Sequence, residues 1–137
     1  MTSSTSQFPQ IDGYTLTEHL YSSSQTRVYR AVQSTQQQKV VIKVLAEGAP
    51  SQRGLAQLRD QYAIAKSLST PGIVRPLRLE PYSGGHALIM EDWGGVPLDR
   101  YTQPLDLTEL LGIAIQLTDI LHDLHQHRVI HKDIKPA

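Results

Sequence analysis

The sequence predicts an α+β fold, and three observations carry that prediction. Short β-compatible runs crowd the first two thirds of the chain. One helix with apolar residues at steps of three and four interrupts them between the third and fourth run. A longer helix with a single apolar stripe follows the last strand. Antiparallel hairpins with segregated helices indicate α+β rather than a doubly wound sheet.

The elements follow in order. Residues 1–11 are rich in Ser, Thr and Gln and read as a disordered leader. Tyr14 to Leu20 and Arg27 to Gln33 are strands of a hairpin, joined by the polar stretch 21–26. Lys39 to Leu45 is a third strand, β-branched and apolar on both faces, so burial of both faces is expected. Gly48, Pro50 and Ser51 break the chain, and a helix runs from about Ser51 to Leu68 with Leu55, Leu58, Tyr62, Ala65 and Leu68 on one stripe. Pro71-Gly72 ends it. Ile73 to Leu79 is a fourth strand that Pro76 confines to an edge or a bend. Ser83-Gly84-Gly85 is a tight turn, and Ala87 to Glu91 is a fifth strand. Asp106 and Glu109 have capping-box spacing, with Asp in the Ser/Thr role, and open a helix that ends near His127. Its stripe is Leu110, Ile113, Leu117, Leu121 and Leu124.

Composition narrows the function. The chain has 137 residues, and 13 Lys+Arg balance 13 Asp+Glu, which argues against a basic nucleic-acid binder. With no Cys, disulfides, thiolate zinc sites and cysteine nucleophiles are excluded. No apolar run approaches the roughly 18 residues of a membrane helix, and the polar start is no secretory signal. A cytoplasmic protein is expected. His122 and His125 are three apart on the long helix but lack the H-E-x-x-H context, so no metal ligands are assigned.

Two segments carry chemistry. Lys43 lies in an apolar strand, where an ammonium needs an anionic partner or loses its charge. The alternative is an edge lysine that snorkels to water. His131-Lys-Asp-Ile-Lys-Pro136 places Asp133 and Lys135 two residues apart. A carboxylate and an ammonium so spaced can act on one phosphoryl group, the first accepting a hydroxyl proton and the second balancing charge.

These segments resemble the protein kinase family. His131 to Pro136 is similar to the kinase catalytic loop, with Asp133 in the catalytic-base position, and Val40-Val-Ile-Lys43 resembles the V-A-I-K strand. About 90 residues separate Lys43 from Asp133, roughly what the intervening kinase elements need. Met90 to Gly95 looks like the hinge between two lobes, and Thr70 to Val74 resembles the segment after the family's helix C. The D-x-K-P lysine is the Ser/Thr-kinase form. The wording of Leu79 to Tyr82 and Arg128 to Ala137 is similar to cyanobacterial-type multi-sensor signalling kinases.

The resemblance implies a protein-kinase-like fold: a five-stranded antiparallel N-lobe (about 12–92) with helix C, a hinge (about 91–96) and the start of a helical C-lobe (about 97–137). It implies γ-phosphoryl transfer from Mg-ATP to Ser or Thr hydroxyls of a protein substrate. Lys43 would hold the α/β-phosphates and the backbone of Glu91 and Trp93 would meet adenine. Asp133 and Lys135 would be catalytic. Tyr21, Ser23, Thr26 and Val28 would form the lid over the phosphates. Mg²⁺ ligands would lie after Ala137, so the chain is expected to be a truncated domain, inactive alone. Sensor, ATPase and histidine-kinase modules would follow it.

Three segments depart from the family pattern. Tyr21, Ser23 and Thr26 stand where the phosphate loop carries glycines. Gln61, ten residues before Pro71, stands where the helix-C glutamate pairs with the strand lysine. Lys132 replaces the Arg of H-R-D and lacks its bidentate fork. The Gly-less lid and Gln61 keep a pseudokinase-like nucleotide- or partner-binding module open as the alternative.

Overall fold

A computed structural model describes residues 8–46 and 52–136. Most of the expected leader, and the chain-breaking Gly48, Pro50 and Ser51, lie outside the described residues. The strands are β1 (Tyr14–Ser22), β2 (Thr26–Gln33), β3 (Lys39–Leu45), β4 (Pro76–Tyr82) and β5 (Gly85–Glu91). Helix α1 (Gln52–Ser67) falls between β3 and β4, and α2 (Leu107–Gln126) follows a short 3-10 turn at Leu98–Arg100. The sheet order is β1-β2-β3-β5-β4, with every neighbouring pair antiparallel.

The sheet has two unlike faces. Tyr29, Ala31, Val40, Ile42, Val44, Ala87 and Ile89 close one face into the core, joined by Ile11 and flanked by Phe8, Tyr14 and Leu16. The chain before β1 thus covers this face, and the Phe8 ring meets Tyr29 edge-on at 5.7 Å. The opposite face carries Val28, Arg30, Val41, Lys43, Leu88 and Met90, as the register pairs Val28 with Lys43, Arg30 with Val41, Lys43 with Leu88 and Val41 with Met90. This corrects the expectation for β3. Val40, Ile42 and Val44 are buried, but Val41, Lys43 and Leu45 are only half-buried, and Lys43 and Leu45 line a pocket beside α1.

The fourth strand is shifted from its expected span. It begins at Pro76 and runs to Tyr82, at the edge of the sheet. Proline has no N–H to donate, so it fits the first position of an edge strand. The preceding residues stay in a loop pressed on α2. Gly72 has φ +85°, and a Cβ there would lie 2.6 Å from Ile120 Cδ1, so this close approach requires glycine.

Helix α1 packs on β4 and β5 and buries Leu58 of its stripe completely. Helix α2 starts where its capping box predicts: the Glu109 N–H donates to Asp106 Oδ1 at 2.8 Å and the Asp106 N–H donates to Glu109 Oε2 at 3.1 Å. Of its stripe, Leu124 is buried while Leu110 and Leu117 remain exposed.

Candidate functional site: a cleft under the half-open sheet face

Strand alternation brings Lys43 onto the same face as Val28, directly across the β2–β3 ladder. Helix α1 places Gln61 one turn after the buried Leu58, and the Lys43 Nζ donates to Gln61 Oε1 at 2.9 Å. Burial pushes the Lys43 ammonium below its ordinary value of 10.5. The carboxylate of Asp133 opposes that shift and the charge of Lys135 adds to it. Gln61 supplies a hydrogen bond but no charge, so the amine is held without being neutralised.

The segment after α2 returns beneath this face. Arg128 and Lys132 adopt positive φ (59° and 66°) on either side of His131. The Asp133 N–H donates to His131 Nδ1 at 3.2 Å, fixing the turn. Lys135 Nζ lies 3.3 Å from Asp133 Oδ2. It also donates to the Tyr21 hydroxyl at 3.3 Å and sits 5.5 Å from the centre of the Tyr21 ring. The Tyr21 contact, and then Asp133, raise the Lys135 pKa. Lys135 thus joins Asp133 to Tyr21 across the sequence, and the charges of Asp133 and Lys135 reach Lys43.

The turn between β1 and β2 forms without glycine. No described residue between 14 and 33 has positive φ. The turn is instead closed by hydroxyls. Ser23 Oγ accepts from the Gln25 and Thr26 N–H groups at 3.2 and 3.0 Å, and the Ser23 N–H donates to the Thr26 carbonyl at 2.8 Å. The Ser23 and Thr26 hydroxyls lie 3.2 Å apart, so both are engaged within the turn. The β1–β2 register shifts between His19 and Tyr21, just before this turn.

The segment after β5 is anchored by residues that sequence reasoning missed. Arg30 of β2 donates from Nε to Asp92 Oδ2 at 2.7 Å, from one terminal nitrogen to Glu18 Oε2 at 2.6 Å, and from the other to the Gly95 carbonyl at 2.7 Å. Asp92 Oδ1 accepts from the Gly94 N–H at 2.7 Å, and the Asp92 side chain is 2% exposed. The Asp92 bond is the main reason the Arg30 pKa is raised, with Glu18 contributing less. The D-x-G pattern of Asp92 to Gly94 was a readable turn signal. Nothing local marks Arg30, whose partner lies 62 residues away. Glu91 donates its N–H to the Arg75 carbonyl at 3.0 Å, while the Trp93 side chain is 78% exposed.

The chain has a known counterpart: a family model described as protein kinase domain matches residues 14–137. The chain belongs to the protein kinase family. It is 29% identical over 137 residues to serine/threonine-protein kinase 36 of Pongo abelii and 31% identical over 114 residues to serine/threonine-protein kinase PknK of Mycobacterium tuberculosis. These matches cover 92% and 80% of this chain but 10% of each relative. Human serine/threonine-protein kinase ULK3 is 30% identical over 132 residues, covering 93% of this chain and 28% of that protein. This kinase chain thus spans about a tenth of the length of the first two relatives. Among its described residues no three His, Cys, Asp or Glu side chains are grouped to hold a metal ion, and no helix is long and apolar enough to cross a membrane.

Proposed function

We propose that this chain is the ATP-binding lobe and catalytic-loop start of a serine/threonine protein kinase in a bacterial signalling protein. The Lys135 bridge from Asp133 to Tyr21, with Lys43 two strands away held by Gln61, carries the reading. The lobes divide at a hinge of about 91–96. Lys43 holds the α/β-phosphates of ATP, and Val28 covers the nucleotide from β2. The backbone of Glu91 and Trp93 meets adenine, and Tyr21, Ser23 and Thr26 shape the lid. A substrate Ser or Thr oxygen attacks the γ-phosphorus, the bond to the β–γ bridging oxygen breaks, and ADP leaves. Asp133 accepts the hydroxyl proton, and Lys135 balances charge on the transferring group. Mg²⁺, when bound, neutralises phosphate charge. The half-buried Lys43, with a neutral amide as its hydrogen-bond partner, suits a polyanionic ligand. Cytoplasmic placement fits an ATP-dependent reaction.

A pseudokinase reading rests on two observations: the Ser23 and Thr26 hydroxyls are engaged in the lid turn, and Lys43 faces an amide where most kinases place a carboxylate. The test is autophosphorylation of the full-length protein that carries this domain. Acid-stable phosphoserine and phosphothreonine are counted apart from acid-labile phosphohistidine. The kinase reading expects label in wild type and loss in Asp133→Asn. Equal label in both would favour the pseudokinase.

A further inference from the structure

We propose that Arg30 is a positioning residue for the nucleotide base: its guanidinium locks the segment 92–95 onto β1 and β2 and so fixes the backbone of Glu91 and Trp93. The inference rests on the kinase reading for the identity of the ligand, and on geometry for the clamp.

The clamp is built from a planar fork. Three nitrogens of one guanidinium address three acceptors on two separate parts of the chain: Glu18 on β1, and Asp92 and the Gly95 carbonyl after β5. A lysine is a point charge and cannot reproduce that set. The acceptors bracket the segment, because Asp92 lies directly after Glu91 and Gly95 two residues after Trp93. Asp92 completes the lock through its second oxygen, which takes the Gly94 N–H and holds Gly94 at φ +72°. The Asp92 carboxylate is almost wholly buried, so removing Arg30 would leave a buried charge without its ion partner. The segment would then relax toward water.

The backbone groups that meet a base act only if they stand in fixed positions, since a flexible segment pays its ordering on binding. Lys43 sits on the same sheet face but bonds to α1 and takes no part in the Arg30 network. The clamp therefore governs the base end of the nucleotide and leaves the phosphate end alone. A merely structural role would weaken both ends together.

The experiment measures binding of adenosine and, separately, of inorganic tripolyphosphate to the 137-residue chain and its Arg30→Ala and Arg30→Lys variants. Hydrogen exchange at the Gly94 amide is followed alongside. Arg30→Ala should weaken adenosine at least about tenfold, leave tripolyphosphate within about twofold, and speed Gly94 exchange at least about tenfold, as expected when a charged, partly buried hydrogen-bond set is lost. Arg30→Lys should recover melting temperature more than adenosine affinity. Unchanged Gly94 exchange in Arg30→Ala overturns the clamp whether or not nucleotide binds. Equal losses for adenosine and tripolyphosphate overturn the base-specific role. If wild type takes up no adenosine while Gly94 exchange responds to Arg30→Ala, the kinase reading fails, and the base-positioning role falls with it although the clamp stands.

Discussion

Two cations on the same sheet face, Arg30 and Lys43, are held in opposite ways. Arg30 is met by two carboxylates and a carbonyl, and its pKa is raised. Lys43, on the adjacent strand, bonds to the neutral amide of Gln61, and its pKa is lowered. Burial opposes charge at both positions, but only Arg30 is given compensating carboxylates in direct contact. The contrast separates a cation used to fasten the chain from one left available to an anion. A buried ammonium whose charge is not matched by the protein is a liability for stability and an asset for binding polyanions.

The largest expected effect tests the available cation. In the full-length protein, Lys43→Met should lower phosphoryl transfer on the order of 10²-fold or more, the usual loss when one contact stabilising transition-state charge is removed. Autophosphorylation rates measure it. Rates within about threefold of wild type would place Lys43 outside the chemistry.

The next prediction erases the contrast. Gln61→Glu puts a carboxylate beside Lys43, which should raise its pKa, and phosphorylation should hold or rise. In wild type the folded chain binds fewer protons at Lys43 than the unfolded chain between the lowered pKa and 10.5. Stability from this group therefore rises with pH across that window. In Gln61→Glu that rise should flatten or reverse. Urea unfolding through the alkaline range would show it.

The smallest effect probes the outer rim of the clamp. Glu18 is half-exposed, so its pair with Arg30 is screened by water. Glu18→Gln should cost about 0–1 kcal/mol in chemical unfolding, as surface ion pairs do. A much larger loss would mean that the fastening depends on Glu18 rather than on buried Asp92.

Legibility in the sequence followed the same division. The strands, the capping box at Asp106 and Glu109, and the edge position of the Pro76 strand each follow from local rules of alternation, capping and missing N–H groups. The place of Gln61 came from the kinase resemblance, which sets the partner of the strand lysine about ten residues before Pro71, and helix period then puts it beside the Leu58 stripe. The start of β4 could not be read, since the approach of Gly72 to Ile120 is set by packing between segments far apart in the chain. Nor could the half-open face of β3, whose apolar residues look alike whether they meet a core or a cleft. The Arg30 network was invisible for the same reason: its geometry depends on how β1, β2 and the segment after β5 come together. The lid carries a different lesson. The resemblance put its Ser and Thr residues over the phosphates, whereas the local hydroxyl-to-backbone bonds of Ser23 build the turn itself.

The most direct test of the account is the titration of the Lys43 amine by NMR in the 137-residue chain, assigned by difference from Lys43→Met, with and without ATP. An amine that awaits an anion should titrate below 10.5 in the free chain and move upward when ATP binds, because phosphate charge favours the ammonium. An ordinary pKa in the free chain, or a lowered one that saturating ATP leaves unmoved, would contradict the claim that this cation is held for the nucleotide.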